Sequence, residues 1–189
     1  YDNSNGDCRM TSKLKTDVLE TVSGSGTIAL TNQLTGMTHA SVPLLTEAQM
    51  PAGSVIQVIY DFTTTEVHIN SGTSTYVDTG LTATITPTST SSKILVIFTL
   101  QQFITQVAGH GKNKLVRGST DIKEFGFALY AGASTIMGHQ AGQFLDSPST
   151  TSATTYKLMF NSGLGNIKCQ YDDGNGDAIS SITLMEIKG

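Results

Sequence analysis

The chain has 189 residues, carries a formal net charge of −4, and only 14% of its residues are charged. Soluble domains usually have about a quarter of their residues charged, whereas here serine and threonine together supply about that share. This balance gives no electrostatic footprint for nucleic acid, and no apolar run approaches the ~20 residues of a membrane helix. We therefore expect neither nucleic-acid binding nor membrane insertion.

Residues 1–53 are predicted to form an extended N-terminal arm followed by an irregular linker. Residues 1–9 are a polar leader, and Met10 is a plausible translation start. Residues 13–22 alternate in a way that favours an extended segment over a helix, and residues 23–26 form a flexible glycine-serine joint. No signal-peptide apolar segment is found at the start, so ordinary secretion is not expected.

Residues 54–189 are predicted to form the body, which begins with a strand at residues 55–62 whose Ile56, Val58, Tyr60 and Phe62 share one face. Residues 81–86 alternate apolar and threonine side chains, as in a half-buried strand, and Pro87 ends the run. Residues 94–98 are apolar at both parities. We expect this strand to be covered on both faces and to pair with residues 81–86 as a hairpin.

The remaining body continues the pattern of short strands and turns. Residues 108–112 are predicted to be a glycine-flanked loop, and Gly126, opposite large aromatic residues, is expected to be closely packed by a neighbouring strand. Three further strands are predicted at residues 155–161, 166–171 and 179–187. About eight to ten short strands without a credible helix predict an all-β protein with a jelly-roll-like β-sandwich body preceded by the arm and linker.

Motifs that carry chemistry are absent from the sequence. No nucleophile elbow, zinc-protease helix, phosphate loop or dinucleotide glycine pattern occurs, and the four histidines are scattered singly. The chain is therefore expected not to be an enzyme and to need no cofactor.

One carboxylate cluster offers a weak metal candidate, formed by Asp172, Asp173 and Asp177. A loop of this kind could donate several oxygens to calcium, but its spacing does not match a known calcium loop. An acidic Asx/Gly hairpin turn is the favoured interpretation. Cys8 and Cys169 are expected to be free thiols, because sequence alone gives no argument for a disulfide.

Three segments together resemble virion structural proteins of tailed bacteriophages, particularly fibre-like or appendage proteins of marine and cyanobacterial phages. They are residues 10–30 (MTSKLKTDVLETVSGSGTIAL), residues 51–58 (PAGSVIQV) and residues 76–96, and the last strand, ITLMEI, completes the pattern. The resemblance covers nearly the whole chain but rests on framework strands. It implies a fibre, spike or decoration role and transfers neither a receptor nor a catalytic residue.

The resemblance and the order of arm, linker and body imply a virion protein that attaches to the particle by its arm and presents its body to the host surface. It would be assembled in the host cytoplasm and be extracellular in the particle, with itself as a partner, expected as a homotrimer, besides other virion proteins and a host surface glycan. The predicted anchoring residues are Leu14, Val18, Leu19, Val22, Ile28 and Leu30. The predicted subunit or sheet interface is Ile94, Leu95, Val96, Ile97 and Phe98, and the predicted receptor-facing loop carries His110 and Lys112.

Two other functions remain open at this point. Within the virion, a capsid decoration (cement) protein that stabilises the head would have the same sequence features. Outside it, a calcium-dependent carbohydrate-binding β-sandwich module would use the aspartate cluster. A glycan hydrolase would need paired carboxylates brought together by the fold, and no spacing recommends one.

Overall fold

The computed structural model describes residues 46–70, 72–105, 109–131, 135–174 and 178–189. The chain divides into two units, residues 1–44 and Leu45–Gly189, and all described residues belong to the second. The predicted arm therefore lies outside the described residues, except for the end of the linker, and stays a prediction. A short 3-10 helix, Glu47–Gln49, precedes the first strand.

Ten strands make up about two thirds of the described part. In chain order they are β1 (Val55–Thr63), β2 (Val67–Ile69), β3 (Thr73–Ile85), β4 (Lys93–Ile104), β5 (Gly109–Arg117), β6 (Thr120–Ala131), β7 (Ile136–Asp146), β8 (Thr154–Leu164), β9 (Ile167–Cys169) and β10 (Ser180–Ile187). The all-β class is confirmed, and the strands predicted at residues 55–62, 81–86, 94–98 and 155–161 are found in β1, β3, β4 and β8.

The strands form two antiparallel sheets. In the first, β1, β10, β4 and β7 lie side by side, and the short strands β9 and β2 continue the columns of β10 and β1. In the second the order is β3-β8-β5-β6. The pairs β1–β10, β3–β8, β4–β7 and β5–β6 are nested along the chain, which is the connectivity of an eight-stranded jelly roll. The predicted jelly-roll-like sandwich is confirmed.

The core lies between the sheets and is built by alternation. Leu81, Ala83 and Ile85 of β3 are at most 3% exposed, whereas Thr82 and Thr84 between them are exposed. From the first sheet, Ile94, Val96, Phe98, Leu100, Ile182 and Leu184 face them, joined from the second sheet by Leu115, Tyr156, Leu158 and Phe160. The period of two in residues 81–86 therefore identified the buried face correctly.

The predicted hairpin between β3 and β4 is wrong. β3 pairs with β8, whereas β4 pairs with β10, β7 and β9 in the other sheet. The connection that contains Pro87 crosses from one sheet to the other. Both strands give one face to the same core, so their sequence patterns look complementary although they share no ladder hydrogen bond.

The close approach predicted at Gly126 occurs instead at Gly142. A methyl group placed on Gly126 meets nothing within 4 Å, whereas one on Gly142 of β7 would lie 2.5 Å from the ring of Phe98. Phe98 also makes an edge-on contact with Phe125, with ring centroids 5.0 Å apart. Gly142 thus lets two aromatic rings fill the space beneath β7.

Both ends of the body meet at one edge. The backbone N–H of Gly53 donates to the carbonyl of Lys188 over 2.8 Å, and that of Lys188 donates to the carbonyl of Ser54 over 2.9 Å. The Lys188 ammonium also donates to the carbonyls of Ala48 and Met50. The segment that leads into β1 is therefore held against the end of β10.

Candidate interaction surface

β4 presents apolar side chains on both of its faces. Ile94, Val96 and Phe98 are at most 1% exposed and point into the core, while Leu95 and Ile97 point to the outer face of the first sheet and are partly exposed. The predicted interface residues are thus divided between two environments. The core therefore covers one of the two faces of β4 that were predicted to be covered, and the other face stays partly exposed.

The register continues this apolar surface from β4 onto the neighbouring strands. Val58, Met185, Leu95 and Leu145 lie opposite one another on β1, β10, β4 and β7 and form one continuous row. With neighbouring rows, nine large apolar side chains share this surface, which we call the outer apolar face: Val55, Val58, Tyr60, Phe62, Leu95, Ile97, Leu145, Met185 and Ile187. Thr99, Ser181 and Thr183 fill positions between them.

β1 contributes the most exposed part of this face. Val58 is 53% exposed, Tyr60 61% and Phe62 55%, and the two aromatic rings lie 6.2 Å apart. Their shared face was predicted, but nothing in the sequence showed that it points away from the core. Ile59 is the one hint in the sequence, because it is a large apolar residue at the opposite parity, and it packs against the core cluster.

Polar groups bound the face at its far end. The Lys168 ammonium lies 3.1 Å from a Glu66 carboxylate oxygen, and His68 lies beside the same carboxylate. Lys168 also lies 4.4 Å above the ring of Tyr171, which stacks on Phe103.

Between β4 and β7 a shallow, open depression of about 310 Å³ is lined by Ile97, Ala141, Gly142 and Gln143.

The outer face of the second sheet is polar instead. The Tyr76 hydroxyl donates to a Glu124 oxygen over 2.6 Å, the Lys112 ammonium donates to the other over 2.9 Å, and Lys114 pairs with Asp121. Burial and, after it, the hydrogen bond to Glu124 raise the pKa of Tyr76. The hydrogen bonds that Glu124 accepts from Tyr76 and Lys112 lower the pKa of its carboxyl group. The two outer faces of the sandwich therefore differ sharply in character.

Glu186 is a fully buried carboxylate that ties β10 to the connection after β3. One oxygen accepts from the Thr88 N–H over 2.7 Å and from the Thr88 hydroxyl over 2.6 Å, and the other accepts from the Gln57 amide over 2.6 Å. Burial alone would raise its pKa. Hydrogen bonds from Gln57 and Thr88 outweigh burial, so the pKa of Glu186 lies below its ordinary value.

We expect the stability of the protein to depend on this carboxylate at acid pH. Because its pKa is lowered by folding, Glu186 stabilises the folded state above the ordinary pKa of about 4.3 and loses that contribution as the pH falls through the folded-state value. In urea unfolding between about pH 7 and pH 3, Glu186→Gln should flatten the acid loss seen in the parent. An unchanged slope in Glu186→Gln would contradict the assignment.

The predicted receptor-facing residues are not in a loop. His110 and Lys112 lie in β5, which pairs with β6 on one side and with β8 on the other. The imidazole of His110 packs over Gly163, and Lys112 pairs with Glu124. The glycines at 109 and 111 were interpreted as loop residues, but Gly111 is there because Asn161 and Ile167 leave no room for a side chain.

Other predicted residues are only partly described. The anchoring residues Leu14, Val18, Leu19, Val22, Ile28 and Leu30 lie outside the described residues, as do Cys8 and Asp177. Asp172 accepts the N–H of Gly174 over 2.8 Å, as in an Asx turn. In the described part, no group of three metal-ligating side chains is found, and Cys169 is a buried free thiol whose pKa is raised by burial.

Comparisons with known proteins give little beyond the fold. No protein-family profile and no curated protein matches the sequence. A chain from the structure of infectious bursal disease virus, Gx strain, is similar over 70% of this chain, with a TM-score of 0.39 and 12% identity, and the match spans 38% of the viral chain. Among the described residues, no helix is long and apolar enough to cross a membrane.

Proposed function

We propose that this chain is a non-enzymatic virion structural protein, a fibre or appendage subunit that attaches to a phage particle by its N-terminal arm and presents its jelly-roll body to the host surface. Support comes from the resemblance of three framework segments to tailed-phage virion proteins. The observation that carries the proposal is the outer apolar face, because a domain that works alone rarely exposes a large contiguous apolar patch. Such a face suits a protein built into an assembly.

The polar side chains of the described body also fit a structural role. Buried carboxylates such as Glu186 and Asp146 are occupied by hydrogen bonds within the protein. On the second sheet, Lys112 pairs with Glu124 and Lys114 with Asp121. These groups hold strands together, which is what a body exposed to the environment outside a cell requires.

The partners of such a protein would be other virion proteins, further copies of itself, three in a fibre, and a glycan of the host surface. A capsid decoration protein is the alternative within the same class. The two differ in position, because a fibre subunit lies at the tail or at a vertex appendage and a decoration protein covers the head.

Purified particles of the phage that encodes this chain test the proposal. Mass spectrometry of density-purified virions should find its peptides at a fixed ratio to those of the major capsid protein, and a cryo-electron microscopy map should show the jelly-roll body on an appendage. Density for the body spread over the head would favour decoration. Absence of the peptides from purified virions would overturn the virion role altogether.

The predicted anchoring role of the arm has its own test. Removing residues 10–30 should abolish incorporation of the protein into particles, because the arm is proposed to make the contact. The circular dichroism spectrum of the body should stay that of a β-protein. Normal incorporation of the shortened chain would show that anchoring lies elsewhere.

A further inference from the structure

β1 differs from the other three long edge strands of the described body. Edge strands usually carry devices that stop them from pairing with other chains, such as charges, glycine kinks and bulges. β3 has Asp78 and a bulge next to Gly80, β6 has three charged residues in Asp121, Lys123 and Glu124, and β7 contains Gly138 and Gly142.

β1 carries two such devices, a bulge at its first residues and one inward-pointing charge, and neither lies on its outer face. Its sequence, VIQVIYDFT, contains no lysine, arginine, glycine or proline, and its one register shift lies at its first residues. Its single charge, Asp61, lies opposite the buried Ile182 and therefore on the other face of the sheet from Tyr60. The apolar row of β1 thus has no charged residue within it.

The outer surface of the first sheet is large enough to support a stable contact between proteins. Four strands spaced by ~4.8 Å and eleven register pairs along β4 and β7 give this surface a size of roughly 19 by 36 Å. That is roughly 700 Å², close to the ~800 Å² that each partner buries in a standard interface. The outer apolar face occupies the end of this surface where β10 pairs with β4, and the other end, with Lys168 and Glu66, provides a polar rim.

The charge distribution indicates what covers this face. Lys93, at one corner, is the only charged residue among the outward positions that pair across β1, β10 and β4 from residue 93 to residue 99. Two copies of this surface can therefore approach one another without like-charge repulsion. A strongly charged partner would find no complementary group there, whereas an identical apolar surface is complementary to it.

We propose that a second copy of this chain covers the outer apolar face, with Val58, Tyr60 and Phe62 of β1 as the most exposed of the side chains that it buries. The inference concerns the isolated protein and does not depend on the virion role. It is tested on the purified chain alone, so its failure is distinguishable from absence of the protein from particles.

Sedimentation velocity of the full chain across roughly 1 to 100 µM should show a species whose mass is a multiple of the 20.0 kDa protomer. Val58→Glu combined with Phe62→Glu should convert it to the 20.0 kDa monomer over the whole range. Both side chains are more than half exposed, so the folded monomer should tolerate the change. Leu164→Glu, which adds one glutamate at a 42%-exposed leucine of the second sheet, is the control for an apolar-to-glutamate change away from this face and should leave the oligomer intact.

A milder variant guards against loss of folding in the double glutamate. Val58→Thr keeps the shape and strand preference of valine and should raise the dissociation constant by about tenfold, while the melting temperature of the monomer is unchanged. A parent that is monomeric at every concentration would overturn the inference and direct the search to a different partner. Persistence of the oligomer in the double glutamate, or its equal loss in the Leu164 control, would overturn it as well.

Discussion

Replacing Asp146 by alanine should lower the free energy of unfolding by about 2–4 kcal/mol. Asp146 is 8% exposed, and one of its oxygens accepts hydrogen bonds of 2.6 Å from both the Arg117 guanidinium and the Tyr156 hydroxyl. Burial, followed by this bond, raises the pKa of Tyr156, so its hydroxyl stays protonated and needs an acceptor. Alanine leaves both donors without their partner at the end of β7. Urea unfolding followed by circular dichroism measures the loss.

A matched substitution separates this buried cluster from an ordinary ion pair. Asp121 pairs with Lys114 at 2.9 Å, but its side chain is 67% exposed. Asp121→Ala should therefore cost at most about 1 kcal/mol, as exposed ion pairs do. Equal losses in Asp121→Ala and Asp146→Ala would show that the cluster with Tyr156 adds nothing beyond a surface ion pair.

Gly142→Ala should destabilise the protein by about 2–3 kcal/mol, because the new methyl group collides with the Phe98 ring that β7 covers. Phe98 is 1% exposed and held by Phe125, so it has little freedom to move away. Thermal unfolding and urea unfolding should agree on the loss. The substitution adds nothing to the outer apolar face, because a side chain at position 142 points to the core.

Two further variants test the cause of that loss. Gly126→Ala, in β6, meets no neighbouring atom and should change the stability by less than about 0.5 kcal/mol. Phe98→Leu should destabilise the parent, but in the Gly142→Ala protein it makes room for the methyl group. The two changes together should then cost less than the sum of their separate costs. Strict additivity would contradict the collision.

Alternation allowed the strands and their buried faces to be predicted, whereas their partners were beyond its reach. The period of two in residues 81–86 depends only on which side of the strand meets the core, so Leu81, Ala83 and Ile85 were placed correctly. The choice between β4 and β8 as the partner of β3 depends on pairing over about 70 to 90 residues of sequence, which local patterns do not report. The false hairpin arose from that difference.

The candidate surface was predicted in part for a similar reason. A strand with apolar side chains at both parities is expected to be covered on both faces, and residues 94–98 show this pattern in the sequence. The direction in which Val58, Tyr60 and Phe62 point was hidden, because alternation separates the two faces of a strand without showing which face meets the core. His110 was misassigned because glycine permits both turns and close strand packing, and only Asn161 and Ile167 decide between them.

The position of β10 has a consequence for how the protein reaches its folded state. β10 lies between β1 and β4 in the first sheet, yet it is synthesised after every other strand of the body. Until it emerges from the ribosome, β1 has no ladder partner among the described strands, and its apolar segment VIQVIYDFT stays exposed. Jelly-roll closure is thus a late step over long sequence separations, which makes folding slow. The same side chains of β1 that are proposed to join two folded copies are exposed during synthesis. Neighbouring nascent chains on one polysome are therefore expected to associate prematurely through this strand.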